Sequence, residues 1–192
     1  MSPNQRSASI KALIASVALA SGISANTLTV TVDEVEQWEG LATTAYADMA
    51  DPELATVCYG ETEGVQFGDR YTPEECEAML IKRLPEYILP IKVRLPNIPD
   101  NRTAAYGIAS WNLGRGLVTL RTKKCVEKKL ITGACVKKVE IPGTSIADLE
   151  DAGAWQLACS RLLEFDHAGG KKIRGLTRRR QAEYIFCILG AV

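Results

Sequence analysis

Three residues within one short stretch have the side chains that cleavage of a glycosidic bond requires. The stretch WEGLATTAYADMADPELATVCYGET, from Trp38 to Thr62, carries Glu39, Asp48 and Thr56 around Tyr46. Such a reaction takes a carboxylic acid to protonate the leaving oxygen, and a carboxylate to assist a water or stabilise the oxocarbenium centre. A hydroxyl nearby can hold that water. Spacing alone does not select these three, because Asp51, Glu53 and Glu61 crowd the same stretch and an acidic surface loop fits it as well.

The elements that would position them are legible around the stretch. Thr31 and Glu34 stand at capping-box spacing, and Val32, Val35 and Trp38 recur on one helical face, which predicts a short helix running into Glu39 and ending at Gly40. From Thr43 to Glu61 the chain is rich in Thr, Tyr and Val and is broken at Asp51-Pro52, a strand, turn and strand. Thr72, Pro73 and Glu75 then open a helix whose apolar stripe is Cys76, Met79, Leu80, Leu84 and Tyr87. Pro85 should kink or end it, and Pro90, Pro96 and Pro99 mark an irregular connection. Asp100 opens another helix that closes near Gly114, and further helices are expected from about Ile146 to Asp166 and about Thr177 to Leu189. No internal repeat is visible. The expected architecture is α+β, a small acidic lobe with a short antiparallel sheet joined by a long helix to a larger, mainly helical lobe.

Charge follows the same division. The chain of 192 residues has no formal net charge, yet Asp33 to Leu80 holds thirteen acids and one base while Ile81 to Val192 holds twenty bases and ten acids. Opposite fields at two ends suit a molecule that docks on an anionic surface through one and keeps carboxylate chemistry at the other. Mutual attraction between the halves, making the fold compact, explains the pattern as well. A hydrophobic fraction of 46% excludes a disordered or low-complexity chain, and nucleic acid is not an expected partner.

Residues 1–32 read as a separate N-terminal segment preceding a domain over 33–192. Arg6 and Lys11 are the only charges before Asp33, and the run ALIASVALASGISANTLTVTV from Ala12 to Val32 has none. As one helix it would reach about 30 Å, enough to cross a bilayer core, though Ala, Ser, Gly, Thr and Asn26 make it a weak span. Basic residues ahead of it would keep the N-terminus in the cytoplasm and export the rest. A cleaved secretory signal ending near Ala20 or Ala25, or an Ala-rich soluble helix, are the alternatives. Export suits the six cysteines, Cys58, Cys76, Cys125, Cys135, Cys159 and Cys187. They contain no C-x-x-C pair, and the single His167 is not spaced as a partner ligand, so disulfides are expected in place of zinc. Cys125 and Cys135 bracket a basic segment that could be a stapled loop or hairpin. The other four could pair as 58 with 76 and 159 with 187, but sequence alone leaves the choice open, and some free buried thiols remain an option. Cys58, so near Thr56, reads as a disulfide partner and not a nucleophile, and a change of its partner would report redox state to the site.

Ordered along the chain, these residues resemble a known family. The patterns E-G-L-x4-Y-x-D (Glu39 to Asp48), T-V-C-x-G-x-T (Thr56 to Thr62) and G-x2-Y-T-x2-E-C (Gly68 to Cys76) are similar to the phage-type lysozymes, the muramidases of glycoside hydrolase family 24. So are W-N-L-G-R-G (Trp111 to Gly116), A-G-G-K (Ala168 to Lys171) and G-L-T-R-R-R-Q-A-E (Gly175 to Glu183), and the resemblance spans about Asp33 to the C-terminus. The weakly hydrophobic N-terminus further resembles the signal-anchor-release endolysins.

The resemblance implies hydrolysis of the β-1,4 bond between N-acetylmuramic acid and N-acetylglucosamine in peptidoglycan. Glu39 would be the general acid, Asp48 the carboxylate that helps the water and Thr56 its positioning hydroxyl. Tyr46, Trp111, Asn112, Arg179 and Arg180 would line the substrate site, with one of the two arginines beside Glu39. No metal or organic cofactor is implied. The chain would act as a monomer, tethered to the inner membrane through residues 12–32 facing the periplasm, inactive until released. Two departures stand out. The turn from Met49 to Ala55 is longer than the family's, so Asp51 rivals Asp48, which Tyr46 two residues earlier favours. Glu61 stands where relatives commonly hold His, which moves an ion pair toward a basic residue of the other lobe. Trp111 and Asn112 fit helix packing better than glycan contact, and His167 reads as a structural or surface residue. A lytic transglycosylase, which needs only the acid, and a non-catalytic cell-wall binding protein are the competing readings.

Overall fold

A computed structural model describes residues 6–48, 51–129, 132 and 135–190. The N-terminal run forms two helices where one was expected. Ser7 caps α1 (Ala8–Ser21) through the Ile10 amide, and Gly22, at φ 66°, closes it with a bond to the Ala18 carbonyl. Ser24 then caps α2 (Ala25–Glu39) through the Thr27 amide. Thr31, expected to cap this helix, lies inside it and donates its hydroxyl to the Thr27 carbonyl. The earlier start follows from burial, since Leu28 joins Val32 and Val35 on one wholly buried stripe. Among the described residues no helix is long and apolar enough to cross a membrane.

The apolar residues of this run have a place in the core. Ile10, Ile14, Ile23, Leu28, Val32 and Val35 pack with Val57, Cys76, Leu80, Ile81, Leu84 and Ile88. A second core, around Ile91, Ala105, Tyr106, Leu117, Ile146 and Leu162, fills the helical lobe. The link between lobes is two helices, α3 (Pro73–Arg83) and α4 (Pro85–Arg94). A full capping box between Thr72 and Glu75 opens α3, and Leu84, itself helical, passes the chain into α4. Pro90 sits inside α4 instead of in an irregular connection. A helix-interior proline costs about 3 kcal/mol, and full burial of the flanking Ile88 and Ile91 offsets it at roughly 1.5–3 kcal/mol each. Helix α5 (Asp100–Leu113) crosses beneath at Gly107, where an added Cβ would lie 3.0 Å from the Ile88 side chain and 3.8 Å from that of Thr31.

In the first lobe β1 (Ala42–Ala47) pairs antiparallel with β2 (Ala55–Cys58), with Tyr46 opposite Thr56. Beyond α5 the basic segment is a hairpin, β3 (Lys123–Lys128) and β4 (Cys135–Glu140). The single helix expected from Ile146 to Asp166 is broken into α6 (Ile146–Asp151), α7 (Trp155–Ser160) and a 3-10 turn over Arg161–Glu164. Gly153, at φ 73°, reverses the chain between α6 and α7. A short pair, β5 (His167–Ala168) and β6 (Lys171–Lys172), precedes α8 (Arg174–Leu189). Disulfides join Cys58 to Cys76, Cys125 to Cys135 and Cys159 to Cys187, the pairing that sequence left open. Cys58 is the only described non-glycine residue at positive φ, 58°, a conformation that costs about 1–2 kcal/mol, and its bond to α3 pins it there.

Candidate active site

Glu39 is the last residue of α2, where Gly40 at φ 71° turns the chain out into β1. Its carboxylate is one-fifth exposed and accepts from Arg179 Nη1 at 2.7 Å. Of the two arginines expected near it, α8 therefore presents Arg179. That guanidinium is held from behind, because its Nε donates to Glu183 Oε1 at 3.0 Å. Glu183 also faces Arg180 Nη1 at 2.8 Å, and Arg180 Nη2 donates to Asn112 Oδ1 at 2.7 Å. Arg180 and Glu183 are almost wholly buried. Burial raises the Glu183 carboxyl above the usual range against the pull of both arginines, and burial lowers Arg180. A continuous chain, Asn112 to Arg180 to Glu183 to Arg179 to Glu39, thus fixes the acid from the floor of the helical lobe. Sequence reading missed Glu183 as a support. The signal was its spacing, three and four residues after the two arginines on one helix face.

The second carboxylate belongs to the sheet. Asp48 follows β1 directly, its N–H donating to the Leu54 carbonyl at 3.0 Å and its Oδ1 accepting from the Asp51 N–H at 3.2 Å. The Asp51 carboxylate likewise caps the turn, accepting from the Glu53 N–H at 3.2 Å. The register sets Thr56 opposite Tyr46, so these two side chains share one face, and Asp48 stands one residue past the end of β1. Thr56 is buried, and among the described residues its hydroxyl has no hydrogen-bond partner. Met49, the first residue of the enlarged turn, and Ala50 lie outside the described residues.

Other sequence candidates take structural positions. Trp111 donates its indole N–H to the Tyr59 carbonyl at 3.0 Å and packs against Tyr87 with ring centroids 4.8 Å apart. Asn112 receives Arg180, as above. Glu61 pairs with Arg83 Nε at 2.9 Å, while Arg83 also holds Glu63 and Glu86. His167 is on the surface beside Asp166, at 2.6 Å. Arg6, read in the sequence only as a flanking charge, is buried among Asp33 at 2.8 Å, Glu36 at 3.5 Å and Glu77.

A sheet-bearing lobe and a helical lobe joined through α3 and α4 make the lysozyme-like fold. The structure superposes on the active form of P1 phage endolysin Lyz with a TM-score of 0.68 and 25% identity, covering 95% of each chain. The phage lysozyme profile matches residues 36–141, and the chain belongs to that family of cell-wall hydrolases. It is 32% identical over 157 residues to the SAR-endolysin of Bacteriophage PS119, covering 79% of this chain and 77% of that one. It is 29% identical to the SAR-endolysin of Enterobacteria phage P21, covering 79% and 78%.

Proposed function

We propose that this chain is a peptidoglycan muramidase, hydrolysing the β-1,4 bond from N-acetylmuramic acid to N-acetylglucosamine. The observation that carries the reading is the helix-end Glu39 carboxylate held by Arg179, together with a buried Thr56 hydroxyl that has no hydrogen-bond partner among the described residues and stands opposite Tyr46 in the sheet. Glu39 protonates the glycosidic oxygen, and Asp48 draws the proton of a water that Thr56 orients toward the opening anomeric carbon. Arg179 keeps Glu39 in place, and Arg180, Glu183 and Asn112 keep Arg179 in place. Tyr46, half exposed on the face it shares with Thr56, offers a stacking surface to a sugar ring. The monomeric chain needs no cofactor for these steps.

We further propose that residues 12–32 tether the chain to the inner membrane, facing the periplasm, before release. The names of the PS119 and P21 relatives and the uncharged run support this. Tethered and docked states exclude each other. A bilayer-spanning run sets Arg6 and Asp33 at least about 30 Å apart on opposite sides, whereas docking brings them to 2.8 Å. With Leu28 and Val32 in lipid, the core beneath Glu39 would be incomplete, and the tethered chain would be dormant.

Digestion of purified peptidoglycan in 18O-labelled water tests the chemistry. One labelled oxygen at each new muramic acid reducing end is expected. Products with anhydro ends, formed equally by the Asp48→Asn variant, would instead establish a transglycosylase.

A further inference from the structure

The β3 and β4 hairpin carries charge that the glycan site does not use. Six lysines and two glutamates lie between Lys123 and Glu140. Lys123 faces Glu140 at 3.9 Å and Lys137 stands opposite Glu127 in the register, while Lys124, Lys129 and Lys138 have no carboxylate within ion-pair distance among the described residues. Every residue of β4 is exposed, and Val126, Val136 and Val139 are 52%, 54% and 40% exposed. The valines lie among the lysines along both strands, and the register sets Lys124 opposite Val139.

Such an element is hard to explain as scaffold. A two-stranded hairpin wet on both faces is marginal by itself, and here the Cys125 to Cys135 bond ties it. Its base is anchored to the helical lobe, where Ile141 N–H donates to the Thr122 carbonyl at 2.8 Å and Thr122 N–H to Thr144 Oγ1 at 2.9 Å. The lobe thus holds out a stapled, cationic, partly apolar projection.

We propose that this hairpin is a docking surface for an anionic lipid bilayer. Both of its features are met by one partner. Lysines gain from the negative potential of acidic headgroups, and their stems lie along apolar surface while the ammonium stays in water. Exposed valines between them gain by entering the acyl boundary, whereas a hydrated anionic polymer would satisfy the lysines and leave the valines wet. The surface is separate from residues 12–32 and does not depend on the glycan reaction.

Sedimentation of the full, oxidised chain with vesicles tests it, using phosphatidylcholine alone and phosphatidylcholine mixed with phosphatidylglycerol. Each lysine near an acidic surface contributes roughly fivefold. The combined variant Lys124→Gln, Lys129→Gln, Lys137→Gln and Lys138→Gln should therefore bind the mixed vesicles about 10²-fold or more weakly, with its melting temperature unchanged. Changing Val126 and Val136 to Ser should weaken the binding that persists at high salt. Insertion by residues 12–32 would ignore both vesicle charge and the lysine changes. Equal binding by wild type and the lysine variant would overturn the proposal. So would retention on polyphosphate that matches vesicle binding and is indifferent to the valines, since it assigns the hairpin to an anionic polymer.

Discussion

Arg6→Met isolates the interaction that holds the N-terminal helix to the body of the protein. Methionine keeps the apolar stem and removes the charge. The Arg6 side chain is 2% exposed and meets Asp33, Glu36 and Glu77, whose side chains are 26%, 11% and 7% exposed. Breaking a buried ion pair from one side costs about 3–5 kcal/mol, because the remaining charges are left uncompensated. The partial exposure of Asp33 admits water and favours the lower end, about 3 kcal/mol. For a chain of this size that corresponds to about 6–12 °C in melting temperature. The loss should depend on pH with a definite sign. Burial raises the carboxyls of Asp33 and Glu36 above their ordinary values, and Arg6 opposes the rise. A folded-state value above the unfolded one gives stability that is complete below the ordinary carboxylate range and is lost as pH rises through the raised value. Without Arg6 the values rise further, so the deficit of the variant should be small near about pH 4 and full near about pH 7.5. Thermal melting at both pH values measures it, and trypsin cleavage after the exposed Lys11 reports undocking of α1 alone. A neutral-pH melt within about 2 °C of wild type, or the same deficit at both pH values, would refute the reasoning.

Thr56→Val should leave stability unchanged or raise it, since it removes a buried hydroxyl that no described residue satisfies, yet slow peptidoglycan hydrolysis by about 10²-fold through a misplaced water. Asp48→Asn should impair turnover strongly while Asp51→Asn changes it little, because Asp48 directly follows β1 whereas Asp51 lies farther out in the turn; the reverse order in a turbidity assay would move the second carboxylate. Replacing Cys58 and Cys76 together by Ser opens a loop of 18 residues and should cost about 3 kcal/mol in a denaturant titration.

Much of this fold is written locally. Thr72-Pro73 with Glu75, Asp100, Gly40 and the Asp51-Pro52 turn act through their own backbone and nearest neighbours, so their elements stand where spacing put them. Elsewhere tertiary burial outweighed local preference. Ser24 displaced Thr31 as the cap because Leu28 had a core to fill, and Pro90 stayed helical because Ile88 and Ile91 did. Gly22 inside an apolar run gives no sign of whether the run will meet lipid or protein, and in this structure it meets protein. At the candidate site, Glu39, Tyr46, Asp48 and Thr56 could be singled out in the sequence, and the elements expected to carry them, the end of α2 and the β1–β2 pair, are where spacing put them. The choice of Arg179 over Arg180 was not, because adjacent helix positions differ by about 100° and only packing says which one faces the acid. Trp111 and Asn112 show the same limit, since a residue that supports a site and one that touches substrate look alike in sequence.

The central claim is that Glu39 donates the proton that breaks the glycan. Glu39→Gln keeps the shape of the side chain and its contact with Arg179 while removing the acid. On purified peptidoglycan, the release of soluble muropeptides by this variant should fall by about 10²-fold or more relative to the oxidised wild-type chain, with melting temperature nearly unchanged. Equal release by the two proteins would contradict the account.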